Sequence, residues 1–573
     1  MTIPAELSIV RGMPLEEEPG LGSLTIAAYL REVRQRYSDR EALVMRLASG
    51  ERVAWTYDEL WEQSLRVAKA LIAAGVGKGT RVGMLMTNRP EFVASLFGIA
   101  LAGGVSAALS TFSTTPELDY LLKASEVSIL LFDRQVLKTD FGSVLRALEP
   151  RIQTALPGAL ESTRFPFLRR LVALDAVTPG AGIAADDARS VERWPDFLTR
   201  GATLSAELVA ARAACTGPAD LGGLFFSSGT TSLPKGILHA QRAFAIQWWR
   251  WPRVLSIKEP ARSWTGNGFF WSANVSMVLG TALSTGGAVV LQPTFDPATA
   301  LQLLEAERVT LMSGRPHQWE RLVAVPGWAA SDLSSVRYVT RGELIRQHPT
   351  VRSNWERPNS FGTTETMTIL SAFSADTPAE IRAGSFGTAL PGNTLKIVDP
   401  NSGSLVPRRV RGEICIKGPT LMLGYVGKAP EATFDDEAYY HTGDGGYVDE
   451  GGRLYWEGRL NSIIKTGGAN VSPEEVDAAL ATLSGVRRTQ TVGLPHETLD
   501  EIVVSCVVPR DGSALKEDDV VAHLKQRLAS FKVPRKVLFF AEAELPLTGN
   551  QKVSVYRVRQ LAAERLGVAL TES

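Results

Sequence analysis

An apolar run, Leu224-Phe225-Phe226, gives way at once to Ser227-Ser228-Gly229-Thr230-Thr231-Ser232-Leu233-Pro234-Lys235-Gly236. The run reads as a buried strand bounded by turn signals. A strand that ends in five hydroxyl side chains delivers a donor-rich loop to one end of a sheet. Gly229 lets the backbone approach a ligand closely, and Lys235 adds a positive charge. Such a loop suits a polyphosphate, whose oxygens accept many N–H and O–H hydrogen bonds. It is not a Walker A loop, which needs Gly-Lys-Ser/Thr running into a helix. Here lysine precedes glycine, and Ile237 follows where a hydroxyl would stand. Ser/Thr/Gly clusters are in general more often plain polar surface loops. The hydroxyl density and the closing Pro-Lys-Gly argue for the phosphate reading.

The rest of the chain supplies a sheet for that strand. Arg81 to Met86, Val105 to Leu109 and Ile129 to Phe132 are short apolar strands, and Pro90 opens a helix that runs through Leu101. Strand and helix alternate from Val82 onward, which predicts a parallel α/β sheet. Leu24 to Tyr37 has helical spacing, and Asp58 is placed to cap a helix running to Ala74. Gln241 to Trp251 reads as a helix carrying Trp248, Trp249 and Trp251. Residues 1 to 22 read as a loose acidic lead-in, and Thr178 to Ala188 as a surface loop. From Asn393 the texture changes to short strands separated by turns, which predicts a β-rich subdomain over about 393–458. With 573 residues, the chain is too long for one core. The expected division is an N-terminal domain over 1–460 and a C-terminal domain over 461–573.

Composition excludes several classes. Lys+Arg and Asp+Glu both number 61, so the basic excess usual for nucleic-acid binding is missing. The three cysteines lie far apart and predict free thiols, neither a disulfide framework nor a zinc site. No stretch approaches the ~20 apolar residues of a spanning helix, so the expected location is the cytoplasm.

Three more clusters carry chemistry. Asn359-Ser360-Phe361-Gly362-Thr363-Thr364-Glu365 places an aromatic four residues before a carboxylate. Tyr440-His441-Thr442-Gly443-Asp444-Gly445 presents a carboxylate in a glycine turn. Pro546 to Lys552 places a lysine near the C-terminus. Singly each has a plain explanation: turn chemistry for the aspartate, a helix cap for the Thr-Glu pair, a solvated charge for the lysine.

Together, and in this order, the clusters resemble the acyl-adenylate-forming superfamily, which includes acyl-CoA synthetases, adenylation domains of peptide synthetases and beetle luciferases. The resemblance runs from Trp55-Thr-Tyr-Asp-Glu-Leu60 to Lys552. It implies an α/β fold: a large N-terminal domain of stacked α/β sheets with a β-rich subdomain, and a small mobile α+β C-terminal lid. It implies ATP, Mg2+ and CoA as cofactor and co-substrates, and a small carboxylic acid as the group activated. Ser227, Ser228, Gly229, Thr230, Thr231 and Lys235 match the phosphate loop. Lys552 matches the catalytic lysine, Thr364 the contact to the α-phosphate and Glu365 the Mg2+ ligand. Phe361 matches the adenine-stacking residue, usually tyrosine, within Asn359, Ser360, Gly362 and Thr363. Gly342 and Glu343 match the other adenine wall, and Asp444, with Arg459, the ribose site. Asn461 falls at the hinge. Lys465, Gly467 and Gly468 match the segment past which pantetheine is threaded. A homodimer is compatible with the resemblance.

The departures from the family pattern are Ser232, Asn461, Ser462, Ala469 and Gln551, and none removes a catalytic group. Asn267-Gly268-Phe269-Phe270-Trp271 lacks the histidine often found there, and no aspartate for an amino group lies between Gly266 and Met277. Phe270 and Trp271 are therefore expected to line an apolar acyl pocket for an unaminated, hydrophobic acid. Core packing is the plain reading of the same aromatics. Two other functions fit the motifs: an adenylating enzyme that loads a carrier protein, and a non-catalytic nucleotide-binding relative.

Overall fold

The strand-and-helix alternation after Val82 folds as an eight-stranded sheet. Its order is Val191–Arg193, Arg170–Leu174, Ile129–Asp133, Arg81–Leu85, Val105–Ala108, Leu221–Ser228, Pro234–Ala240, Gly424–Tyr425. The first six strands pair in parallel. The last two are antiparallel, each to the strand before it. In the computed structural model, residues 6–570 are described except 48, 175–188, 229–233, 341, 401, 461–463 and 545–554. The expected surface loop at Thr178–Ala188 lies outside the described residues, as do Gly229, Thr230, Thr231, Asn461 and Lys552.

A second, six-stranded sheet runs Tyr338–Val339, Leu311–Ser313, Arg262–Thr265, Ala288–Leu291, Glu41–Arg46, Arg52–Thr56. Only its last pair is antiparallel. Helices Ile26–Tyr37, Tyr57–Ala73, Pro90–Leu101 and Gln241–Val254 lie in the core that the two sheets share. The cap of the second helix is Thr56, not Asp58. Its hydroxyl accepts from the Glu59 N–H at 3.1 Å, and Glu59 accepts from the Thr56 N–H at 2.7 Å. That reciprocal pair satisfies two helix-end donors, and Asp58 instead pairs with Arg34. Trp248 is fully buried against Tyr29 and Phe97, with ring centroids 4.6 and 5.6 Å away.

The expected β-rich subdomain is an antiparallel sheet of Thr394–Val398, Gly412–Lys417, Tyr440–Val448 and Leu454–Arg459, with one strand from the N-terminus, Ile9–Arg11, on its edge. The acidic lead-in is therefore structured. Glu18 is fully buried and accepts from the Arg250 guanidinium at 2.9 and 2.8 Å, and it also pairs with Arg253. Two basic residues one helical turn apart recruit the acid, which sequence composition alone reads as loop.

The smaller C-terminal domain is α+β. Strands Ala469–Val471, Ile464–Thr466, Asp500–Pro509 and Val486–His496 form a sheet, extended by Lys536–Phe539, with helices Pro473–Leu480, Glu517–Lys525 and Val555–Leu566. One buried contact joins it to the larger domain. Lys532 donates to Glu475 at 2.7 Å and, across the interface, to Glu117 at 3.2 Å. Glu117 also accepts from the Ala529 N–H at 3.0 Å. Burial raises the Glu475 carboxyl above its ordinary value, and Lys532 opposes that rise. No helix among the described residues is long and apolar enough to cross a membrane.

Removing one partner of a buried ion pair leaves a charge without compensation, which costs about 3–5 kcal/mol. Glu18→Ala should therefore strand Arg250 and lower the thermal midpoint of the N-terminal domain, read by tryptophan fluorescence. A midpoint equal to wild type would show that the lead-in contributes no stability.

Candidate active site

Strand ends from three sheets converge on one cleft. Ser227 and Ser228 end the strand Leu221–Ser228, and register places Lys235 opposite Ser227. The Lys235 ammonium lies 5.2 Å from the centre of the Tyr425 ring. The Tyr425 hydroxyl donates to Glu365 Oε1 at 2.9 Å and is 2.8 Å from the Tyr440 hydroxyl. Burial and the neighbouring Glu365 carboxylate push the Tyr425 phenol far above its ordinary value. It therefore stays a donor and fixes the Glu365 carboxylate beside Lys235.

Residues 360–364 bend sharply beneath this group. A Cβ on Gly362 would lie 1.6 Å from the Thr368 carbonyl oxygen, so only glycine fits. The Ser360–Phe361 strand precedes the bend, and the short turn Thr364–Thr366 follows it. On the far wall Asp444 is buried. Trp456 Nε1 donates to its Oδ1 at 2.9 Å, and its own N–H donates to the Thr442 hydroxyl at 3.0 Å. Asp444 sits within the strand Tyr440–Val448, at a register irregularity, and not in a free turn. Arg459 is its cross-strand neighbour in the ladder.

The C-terminal domain closes the cleft with the 464–471 hairpin. Lys465 Nζ lies 3.8 Å from the centre of the Trp456 ring. Gly468 has φ +81°, and a Cβ there would meet the Arg315 guanidinium at 1.9 Å. Arg315 donates to the Gly468 carbonyl at 3.3 Å. The backbone conformation disfavours a side chain at 468, and a Cβ there would push the Arg315 guanidinium aside.

The structure thus brings Ser227, Lys235, Asn359, Ser360, Phe361, Gly362, Thr363, Thr364, Glu365, Asp444, Lys465 and Gly468 around one cavity of about 670 Å³. Gly342 and Glu343 are not among the residues lining it; the Glu343 side chain is 73% exposed and pairs with Arg346. A second cavity of about 670 Å³ lies between the domains, with Gly467, His317, Arg321, Lys525 and Arg535 in its walls. Burial and the flanking arginines lower the His317 imidazole, which leaves it neutral among cations.

Phe270 and Trp271 line that second cavity and a smaller neighbour. They do not line the cavity of about 290 Å³ on the other side of the 360–364 bend. That third cavity is bounded instead by Trp251, Asn274, Met277, Arg315, Arg357 and Thr368. Its walls mix apolar groups (Trp251, Met277, Ile369) with guanidinium, amide and hydroxyl groups. Phe269 turns into the core against Phe92 (5.4 Å), and Phe270 packs edge-on to Phe112 (5.4 Å). Arg315, Arg357 and Trp251 carried no motif and were missed. Their only sequence signal is charge or an aromatic next to strand and helix ends.

A hard cation fits the donor set. Glu365 offers a carboxylate oxygen to the cleft, beside the Thr364 hydroxyl and opposite Lys235. Mg2+ is commonly bound through one or two carboxylates with phosphate oxygens completing the shell. A Glu413, Cys415 and His441 cluster also lies nearby, but the direct contact of His441 with Glu413 at 2.8 Å already accounts for its arrangement.

His239 lies on the strand behind Thr364 and is fully buried, with its ring 6.2 Å from Phe225 and 6.4 Å from Phe244. Burial lowers its pKa to about 4 from 6.5, with the Thr364 backbone pulling weakly the other way. The folded state therefore holds it neutral while the unfolded chain protonates it below 6.5. Stability present above pH 6.5 is lost as pH falls toward 4, by about 3 kcal/mol in total. His239→Leu should flatten the fall of the thermal midpoint between pH 6.5 and 4. A variant with the wild-type pH profile would exclude this histidine as the cause.

Comparisons with known proteins bear on the family and the fold. The AMP-binding enzyme family profile matches residues 30–426, and the profile of the AMP-binding enzyme C-terminal domain matches residues 475–552. A feruloyl-CoA synthase of Amycolatopsis sp is 30% identical over 516 residues, covering 88% of this chain and 94% of its own. A mitochondrial medium-chain acyl-CoA ligase of Danio rerio is 28% identical over 576 residues, covering 96% and 90%. Among solved structures, an amide bond synthetase from Marinactinospora thermotolerans superposes with a TM-score of 0.70 at 24% identity, covering 93% of this chain and 99% of that one.

Proposed function

The chain belongs to the AMP-binding enzyme family, and from that premise we propose that it is an AMP-forming acid–CoA ligase working in two half-reactions at the cleft described above. In the first, a carboxylate oxygen of the acid attacks the α-phosphorus of ATP. The oxygen–phosphorus bond forms, the bond to the β-phosphate oxygen breaks, and pyrophosphate leaves. In the second, the CoA sulfur attacks the acyl carbon, the thiol loses its proton, and AMP leaves as the C–O bond breaks.

The first step brings two anions together, so charge stabilisation dominates its barrier. Lys235, with Ser227 and the loop after it, holds the β- and γ-phosphates. The Thr364 hydroxyl meets the α-phosphate, and Lys552 bridges that phosphate to the acid. Phe361 offers the adenine a ring, within Asn359 to Thr363. Asp444 accepts from the ribose hydroxyls. Glu365 would hold Mg2+, which would supply neutralisation of the triphosphate charge. Gly342, Glu343, Arg459 and the hinge at Asn461 keep the secondary roles that the family resemblance implies.

The CoA arm enters through the interdomain cavity, past Gly467 and Gly468. Arg321, Lys525 and Arg535 in its walls suit the anionic nucleotide end of CoA. Lys465 caps the cleft from the C-terminal side. The observation that carries this reading is the meeting of Lys235, Thr364, Glu365 and Asp444 around one cavity that a hairpin of the second domain closes.

The test is AMP release from ATP with a carboxylic acid, followed by thioester formation on adding CoA. CoA-dependent turnover is expected. Turnover only with a pantetheinylated carrier protein would reassign the thiol, and no AMP with any acid would leave a nucleotide-binding protein without catalysis. Lys552→Ala should reduce adenylation by several orders of magnitude, about tenfold per 1.4 kcal/mol of lost stabilisation. It should spare thioester formation from pre-made acyl-AMP. Equal loss in both half-reactions would remove lysine 552 from the adenylation step.

A further inference from the structure

One indole stands between the two domains at the nucleotide cleft. Trp456 lies on the strand Leu454–Arg459 of the β-rich subdomain. Lys465 lies on the strand Ile464–Thr466 of the C-terminal domain. The Lys465 ammonium sits over the Trp456 ring, 3.8 Å from its centre. On the same ring, Nε1 donates to Asp444 Oδ1 at 2.9 Å. Phe386 packs edge-on to the indole, with ring centroids 5.8 Å apart, and helps to hold its plane. Asp444, Trp456, Lys465 and Phe386 all line the cavity that gathers the motif residues.

Asp444 and Lys465 each have other interactions as well, so neither charge depends on this ring for compensation. What the ring adds is direction. The Asp444 N–H donates to the Thr442 hydroxyl at 3.0 Å, and its carboxylate accepts from Trp456, so the residue is held at both ends. A hydrogen bond to an ionised acceptor is short and strong. An aromatic ring is negative on its face and positive at its edge. A cation on the face and an acceptor at the N–H edge therefore polarise the indole in the same sense. Lys465 draws electron density toward the face, and the N–H becomes a stronger donor to the carboxylate.

We propose, on the ligase reading above, that Trp456 positions the Asp444 carboxylate for the ribose hydroxyls, and that Lys465 acts on the nucleotide through this ring. Trp456 works through Asp444 and is a positioning residue. The hairpin of one domain thereby tunes the ribose site of the other, with no contact to the nucleotide of its own.

Affinities for AMP and for dideoxy-AMP, which lacks both ribose hydroxyls, test this by calorimetry in wild type, Trp456→Phe, Lys465→Met, the double variant and Lys465→Arg. Trp456→Phe keeps a ring under the cation and loses the N–H. It should weaken AMP about tenfold, in keeping with one lost hydrogen bond to a charged group. Lys465→Met should weaken AMP about three- to tenfold in wild type, and less than about twofold in the Trp456→Phe background. Lys465→Arg should bind AMP like wild type, because a guanidinium also stacks on an aromatic face. Neither Trp456→Phe nor Lys465→Met should change the affinity for dideoxy-AMP, since the hydroxyls that Asp444 serves are gone. Wild-type AMP affinity in Trp456→Phe overturns the positioning role. Additive losses in the double variant overturn the coupling, and so does an equal loss of AMP and dideoxy-AMP in Lys465→Met, the mark of a direct phosphate contact. Should Trp456→Phe fold poorly, the two nucleotides compared in Lys465→Met and Lys465→Arg decide the coupling. All of these outcomes leave the ligase reading intact, whereas a wild-type chain that binds no AMP overturns that reading itself.

Discussion

Lys532 sits between two carboxylates, one from each domain, and the arrangement of the whole cleft depends on it. Its partners Glu475 and Glu117 are themselves nearly buried, with 3% and 10% of their side chains exposed. A lysine moved out of water with only one acid would gain little, because desolvation can cancel the attraction. With two acids and the Ala529 N–H donating to one of them, most of the polar atoms are satisfied. A joint of that kind is specific in orientation and modest in net stability.

The docked position has a cost at the hairpin, where Gly468 lies against Arg315. The left-handed backbone at Gly468 strains any side chain there, and a Cβ would displace the Arg315 guanidinium. The same arginine reaches into the nucleotide cleft and the cavity behind it. Docking of the C-terminal domain is thus felt directly by a cation in the site, without any relay through the core. Tyr425 plays the matching part inside the larger domain, where one ring carries Lys235 on its face and Glu365 on its hydroxyl.

Much of this was legible in the sequence, and the limits have physical causes. The strand before the donor-rich loop, the parallel alternation and the β-rich segment after Asn393 follow from local periodicity and turn residues, and all formed as expected. The motif residues 227, 235, 359–365 and 444 share one cavity because strands of three sheets bring them there: Ser227 at a strand end, Lys235 near a strand start, 359–365 at a strand and the turn after it, and Asp444 within a strand. The lead-in was misread because Glu18 gains its burial from Arg250 and Arg253, more than two hundred residues away. Local composition carries no trace of such a pairing. The helix cap shifted by two residues because Asp58 was claimed by Arg34, and Thr56 could form the reciprocal pair. Phe270 and Trp271 face Phe112 and line two cavities, one of which Thr364 also borders.

The residues that distinguish this site from a generic one are those that no motif marks. Arg357 precedes Pro358 in an irregular stretch, and Trp251 lies in the last turn of a helix whose other tryptophans serve the core. Helical periodicity separates the two roles: Trp248 faces Tyr29 and Phe97, while Trp251, three residues on, is turned toward Thr368 and the 290 Å³ cavity. The shared chemistry of adenylation is held by strand ends and glycines, where backbone geometry leaves little freedom.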